Sequence, residues 1–112
     1  MAKAVAGELV LAESTSPVLL EGNVYFPPSS VRKDLITVGD RQSTCPWKGK
    51  ATYWDIRLGN TLLRNAAWSY EDPKEAAQHI RGHVAFDTSV ISVLTRTVDR
   101  AFTWKKRSTK RH

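Results

Sequence analysis

The stretch Thr52-Tyr53-Trp54-Asp55-Ile56-Arg57-Leu58-Gly59-Asn60-Thr61-Leu62-Leu63-Arg64-Asn65-Ala66-Ala67-Trp68-Ser69-Tyr70 decides the fold. Both arms are rich in aromatic and branched residues that alternate with polar ones, and Gly59-Asn60 between them is a two-residue hairpin signal. Strands are predicted over Thr52–Leu58 and Thr61–Tyr70. A two-residue turn sets Leu58 opposite Thr61, and the same register puts Arg57 opposite Leu62, Asp55 opposite Arg64 and Tyr53 opposite Ala66. Because side chains alternate, one face carries Trp54, Ile56, Leu58 and Leu63, and the other Tyr53, Asp55, Arg57, Arg64, Trp68 and Tyr70. The first face is core material. The second mixes aromatics with charge, which suits either a half-exposed face with an Asp55–Arg64 cross-strand pair or a pocket that sandwiches a flat ligand.

Toward the N-terminus, Leu9–Leu11 and Val18–Phe26 are candidate strands, the second closed by Pro27-Pro28. Val31–Ile36 reads as a turn or a single helical turn, and Gly39–Lys50 as a polar loop broken by Pro46 and Gly49. Toward the C-terminus, Asp72-Pro73-Lys74-Glu75 predicts a helix start, with Asp72 as cap and Glu75 completing a capping box. Gly82, just beyond Ile80, keeps that helix short. Val84–Phe86 and Val90–Leu94 read as a second hairpin around Asp87-Thr88-Ser89. A handful of strands and one short helix make a mainly-β domain.

The chain has 112 residues, room for one domain, with 41% hydrophobic and 25% charged residues, an ordinary globular balance. Its lone cysteine, Cys45, has no internal disulfide partner, and with three scattered histidines it makes no structural zinc spacing. No metal and no cofactor is expected. Lys3 and Glu8 interrupt the N-terminal apolar stretch, so a secretory signal is not expected, and no run reaches the length of a membrane span. The reading is a cytoplasmic protein. The net charge of +6 is confined to residues 96–112, where Arg96, Arg100, Lys105, Lys106, Arg107, Lys110 and Arg111 face only Asp99. Residues 1–104 are therefore read as the domain. Residues 105–112 are read as a disordered basic tail capable of weak, non-specific polyanion binding.

Chemistry concentrates in few places. Thr44-Cys45-Pro46-Trp47-Lys48-Gly49 brings a thiol, a cation and a large aromatic into one segment. A thiolate beside Lys48 could be a nucleophile, but free cysteines are usually buried and inert, and His79 and His83 have no sequence link to Cys45. Lys48 can instead hold an anionic substrate. Tyr53, Trp68 and Tyr70 supply aromatic walls. Glu71 has no evident structural task and is the acid/base candidate, while Arg32 can neutralise a carboxylate or simply pair with Asp34.

These residues also carry a resemblance. Val24-Tyr25-Phe26-Pro27, Val31-Arg32-Lys33-Asp34-Leu35, Thr44-Cys45-Pro46-Trp47-Lys48-Gly49-Lys50-Ala51, Tyr53-Trp54, Ala67-Trp68-Ser69-Tyr70 and Pro73 occur in this order. The chain resembles the family known as domain of unknown function 427, also labelled nucleotidyltransferase family 9. The resemblance implies a compact two-sheet, β-tent-like domain whose relatives bind small ligands in aromatic pockets. Several of those relatives use four cysteines for zinc; this chain has only Cys45, so the metal does not carry over. No Gly-rich phosphate loop and no spaced carboxylate pair for magnesium supports the transferase label.

The leading functional expectation is a cofactor-independent enzyme that moves protons on a small, flat, apolar molecule with an anionic or carbonyl edge, as an isomerase, cyclase or addition–elimination catalyst. Lys48, Glu71, Tyr70 and Arg32 are the expected catalytic residues. Trp47, Tyr53, Trp68, Tyr25 and Cys45 are the expected ligand-binding residues. The alternative is a non-catalytic small-molecule-binding module using the same pocket. Exposed sheet edges suit a homodimer.

Overall fold

The computed structural model describes residues 1–96 and 104–106. The strands are β1 (Ala2–Ala6), β2 (Leu9–Ser14), β3 (Val18–Leu20), β4 (Asn23–Tyr25), β5 (Ile36–Cys45), β6 (Gly49–Leu58), β7 (Thr61–Ser69), β8 (Val84–Phe86), β9 (Ser92–Arg96) and β10 (Trp104–Lys106). They form two four-stranded sheets, ordered β10-β9-β1-β2 and β5-β6-β7-β8, and a ribbon of β3 and β4. Every pairing within these sheets is antiparallel. Just beyond β4, Phe26 exchanges both backbone hydrogen bonds with Val84 at 2.8 and 2.9 Å, so the ribbon continues the β5–β8 sheet. Arg32 N–H donates to the Leu11 carbonyl at 2.8 Å, tying the segment after the ribbon to the other sheet.

Alternation along these strands sorts the interior into two clusters. Val24, Phe26, Ile56, Ala67, Val84 and Phe86 pack against Ala2, Ala4, Leu11 and Val93 of the facing sheet, with Phe26 meeting Phe86 edge-on at 5.7 Å. The opposite face carries Tyr25, Ala51, Tyr70 and Ala85 together with Ala77 and Ile80, and Tyr53, Trp68 and Cys45 pack against them. The mainly-β expectation is met.

The central hairpin forms around Gly59-Asn60, with Leu58 opposite Thr61 and Arg57 opposite Leu62. Beyond Ile56–Leu63 the register slides. The next pair is Trp54–Ala67, so β7 advances four residues while β6 advances two. Tyr53 therefore faces Trp68, not Ala66, and the Asp55–Arg64 cross-strand pair does not form. Asn65 sits in the bulge at a left-handed φ of 53°, and its N–H donates to Asp55 Oδ1 at 2.7 Å. Two extra residues preserve side-chain parity, so Trp54 and Trp68 still lie on opposite faces, as the alternation predicts.

Several expectations are corrected. Gly39–Lys50 is no loop; most of it belongs to β5, an edge strand whose polar residues face solvent and hide its pattern. Val18–Phe26 folds back on itself as β3 and β4. The turn between them, Glu21-Gly22, has φ of 53° and 79°, the positive pair of a type I′ turn. Val84–Phe86 pairs with β7 and Ser92–Arg96 with β1, so they form no hairpin but pass between sheets. A strand, β1, precedes the predicted first one. The predicted helix after Asp72 is a short 3-10 segment, Glu75–Ile80; the single turn expected within Val31–Ile36 is present as the 3-10 turn Lys33–Leu35, and a further one spans Pro28–Ser30. The segment Glu75–Ile80 starts after Lys74 with no side-chain cap, so Asp72 does not cap it. β10 takes in Lys105 and Lys106 at the start of the predicted tail; residues 97–103 and 107–112 lie outside the described residues, and with them the rest of that expectation.

Candidate functional site

The face of the β5–β8 sheet turned away from the first sheet holds a cavity of about 500 Å³. Its floor follows from strand alternation. Tyr53 on β6 and Trp68 on β7 are direct cross-strand partners with ring centroids 6.3 Å apart. Tyr25 comes from the end of β4, and Trp68 Nε1–H donates to its hydroxyl at 3.3 Å. Tyr70 follows β7 on the same parity as Trp68.

Lys48 enters from the turn between β5 and β6. Cys45 pairs with Gly49 across that turn, and Gly49 has φ of 109°, a conformation that side chains disfavour. The Lys48 carbonyl accepts from Lys74 N–H at 2.9 Å, and Lys74 Nζ donates to the Pro46 carbonyl at 2.6 Å, so the turn is held from both sides. Lys48 is only 5% exposed. Its ammonium pairs with Glu21 Oε1 and lies 5.3 Å from the Tyr70 ring and 5.5 Å from the Trp47 ring. Trp47 Nε1–H donates to Glu21 Oε2 at 3.1 Å, so both oxygens of Glu21 are engaged.

Burial pulls the Lys48 ammonium toward losing its proton. The Glu21 hydrogen bond and the neighbouring phenols of Tyr25 and Tyr70 outweigh it and hold the group above its ordinary range. Burial likewise raises Tyr25 and Tyr70. Through the neutral range this end of the cavity is a cluster of proton donors, an ammonium and two phenols, with one half-exposed carboxylate beside it.

The other wall is built by the register slips. On β5, Val38 faces Trp54 and Gln42 faces Thr52, so β5 also carries two extra residues against the same part of β6. The two bulges meet above β6. Asp40 accepts from Arg64 Nη2 at 2.6 Å and from Asn65 Nδ2 at 3.1 Å, and Arg41 N–H donates to Asn65 Oδ1 at 3.3 Å. Gly39 makes room for this network; a Cβ there would come within 2.8 Å of Asp55 Oδ1. Arg41 and Asn65 thereby line the cavity, with the Arg41 guanidinium 4.9 Å over the Tyr53 ring.

Of the residues predicted for the site, Lys48, Tyr25, Tyr53, Trp68 and Tyr70 come together. The others do not. Glu71 lies on the opposite face, in a separate cavity of about 430 Å³ with Trp54, Lys33 and Ile36. There it accepts from Ser69 Oγ at 2.5 Å, and Ser69 Oγ accepts in turn from Trp54 Nε1 at 2.9 Å. Arg32 is exposed and makes a two-point pair with Asp34, at 2.9 and 2.8 Å. Trp47 stands outside the cavity lining and anchors Glu21. Cys45 is half-buried against the Tyr25–Tyr70 cluster. Parity alone carried the signal for Glu71, because a residue next to Tyr70 in extended chain points the other way. Glu21, Asn23, Arg41, Asn65, Asp87 and Thr88 line the cavity without having been predicted. Among the described residues no three His, Cys, Asp or Glu side chains are grouped to hold a metal, and no helix is long and apolar enough to cross a membrane.

The family described as a domain of unknown function (DUF427) matches residues 2–99, nearly the whole chain. No curated protein matches the chain. The chain belongs to the DUF427 family.

Proposed function

We propose that this member of the DUF427 family binds a small, flat molecule on the β5–β8 face, holds its anionic or carbonyl edge with Lys48 and the adjoining phenols, and promotes proton transfer on it. The observation that supports this most is the Lys48 ammonium, 5% exposed and set beside Tyr25 and Tyr70 over an aromatic floor. Burying an ammonium costs several kcal/mol before pairing, roughly, and an apolar residue in its place is often neutral or better for stability. Its position therefore has a better explanation in a ligand than in the fold.

The chemistry follows from protonation. Lys48, Tyr25 and Tyr70 keep their protons at neutral pH, so they serve a developing oxyanion as donors and not as bases. Glu21 is the carboxylate beside them and is the group placed to accept a proton. Isomerisation, cyclisation and addition–elimination are the reaction types that need only such groups. A non-catalytic binding module is the second reading. It is favoured by the engagement of both Glu21 oxygens, by Trp47 and Lys48, which occupies the acceptor positions a base would use.

Titration with planar aromatic carboxylates and ketones, followed at the Trp68 indole N–H resonance, tests the binding. A saturable shift is expected in the native protein, weakened at least about tenfold in Lys48→Met. No shift at Trp68 with any of them, or equal affinity in a folded Lys48→Met, contradicts the proposal. Exchange of ligand C–H hydrogens for solvent deuterium by the native protein, and its loss in Glu21→Gln, separates the catalytic reading from the binding one.

A further inference from the structure

A line of contacts crosses the cavity floor. Arg41 lies over Tyr53, Tyr53 adjoins Trp68, Trp68 donates to Tyr25, and Tyr25 neighbours Lys48. The floor thus has a cation at each end. The two cations are not alike. Lys48 is buried and already paired with Glu21. The side chain of Arg41 is exposed, and the ion pairs among the described residues use Arg32, Lys48 and Arg64 but not Arg41. Its guanidinium rests on the Tyr53 ring. A guanidinium resting on a ring keeps its N–H donors at the edge, in a fork that fits a carboxylate at two points.

The pairing of β5 with β6 places Arg41 on the cavity side of the sheet. The ladder that runs from Cys45–Gly49 to Gln42–Thr52 brings Arg41 next, opposite Tyr53, and the two-residue slip toward Val38 begins there. The slip is fixed by Asn65 accepting the Arg41 N–H, by Asp40 bonding Arg64 and Asn65, and by the space Gly39 leaves. The carboxylate of Asp87, which also lines the cavity, accepts from Ser89 N–H at 3.0 Å and Ser89 Oγ at 2.7 Å.

We propose that the ligand is a ditopic anion, a flat core with a negatively charged group at each end, one held by Lys48 and its phenols and the other by Arg41. This rests on the binding function proposed above and adds the second pole to it.

Three probes of graded length test it: benzoate, terephthalate and the longer biphenyl dicarboxylate, each titrated against native protein, Arg41→Gln and Lys48→Met with the Trp68 indole N–H as reporter. At least one dicarboxylate should bind the native protein about tenfold tighter than benzoate, the scale of one charge-assisted contact. Arg41→Gln should reduce that dicarboxylate to the affinity of benzoate and leave benzoate unchanged. Lys48→Met should weaken all of them. Equal affinity of benzoate and both dicarboxylates for the native protein, or an equal loss for all probes in Arg41→Gln, overturns the second pole. If Lys48→Met still weakens benzoate in that case, the binding function stands without it. If no probe shifts Trp68, or Lys48→Met changes nothing, both fall together.

Discussion

Trp54, Ala67 and Phe86 on one face of the β5–β8 sheet and Tyr53, Trp68 and Ala85 on the other come from the same three strands as adjacent pairs of opposite destination. The first face is filled by the facing sheet and by aliphatic and phenylalanine side chains. The second is lined by phenols, an indole and two cations around open volume. The proposed ligand gives the buried ammonium and the arginine over the tyrosine a role that stability alone does not. The difference teaches that the alternation of a single hairpin separates the face that holds this protein together from the face proposed to take a ligand.

The sharpest way to break the first face is Phe26→Ala. Phe26 is fully buried and meets Phe86 edge-on, so the expected loss is about 3–5 kcal/mol, read as a large drop in denaturation midpoint. A loss below about 1 kcal/mol would mean that the sheets do not depend on this contact. Next comes Gly39→Ala, where a Cβ would lie 2.8 Å from Asp55 Oδ1 and 3.2 Å from the Tyr53 carbonyl. It should cost about 1–3 kcal/mol and move the Asn65 and Arg41 amide resonances, because the bulges must re-form. Unchanged resonances there would place the crowding elsewhere.

Alkaline pH probes the second face more gently. Lys48, Tyr25 and Tyr70 all have folded-state affinities for the proton above their ordinary values. Each therefore contributes stability that is complete below its unfolded-state value and is lost as pH rises through the folded one. Stability should be flat through neutrality and fall above about pH 10, with Tyr25→Phe reducing the slope. A slope unchanged by that substitution would show that the phenol does not titrate against the fold. The smallest effect belongs to Glu71→Gln. Glu71 is exposed, serves the other cavity and keeps an acceptor for Ser69 as glutamine, so stability should stay within about 0.5 kcal/mol and ligand shifts at Trp68 should persist. Loss of those shifts would join the two cavities functionally.

The faces of the hairpin were legible in the sequence because its bulge inserts two residues, which changes partners but not parity. The partners themselves were not, since nothing in Arg64-Asn65-Ala66 announces a left-handed Asn65 in mid-strand. β5 was hidden by its place at a sheet edge, where Thr37, Asp40, Arg41 and Gln42 face water and the period-two signal fades. Lys48, Tyr25, Tyr53, Trp68 and Tyr70 could be named for their chemistry. Glu21 and Arg41 could not, because Glu21 sits in a ribbon joined to the sheet by the distant Phe26–Val84 bridge, and Arg41 in the edge strand whose pattern is hidden. Glu71 has the chemistry of an acid/base group, but the alternation after Tyr70 points it to the other cavity.

Native mass spectrometry of the protein purified from its own source addresses the pocket at Lys48 most directly. The protein should carry a small-molecule adduct that is released on denaturation, is absent from Lys48→Met and remains in Glu71→Gln. An adduct that persists in folded Lys48→Met but disappears in Glu71→Gln would contradict the account and move the ligand to the opposite face of the sheet.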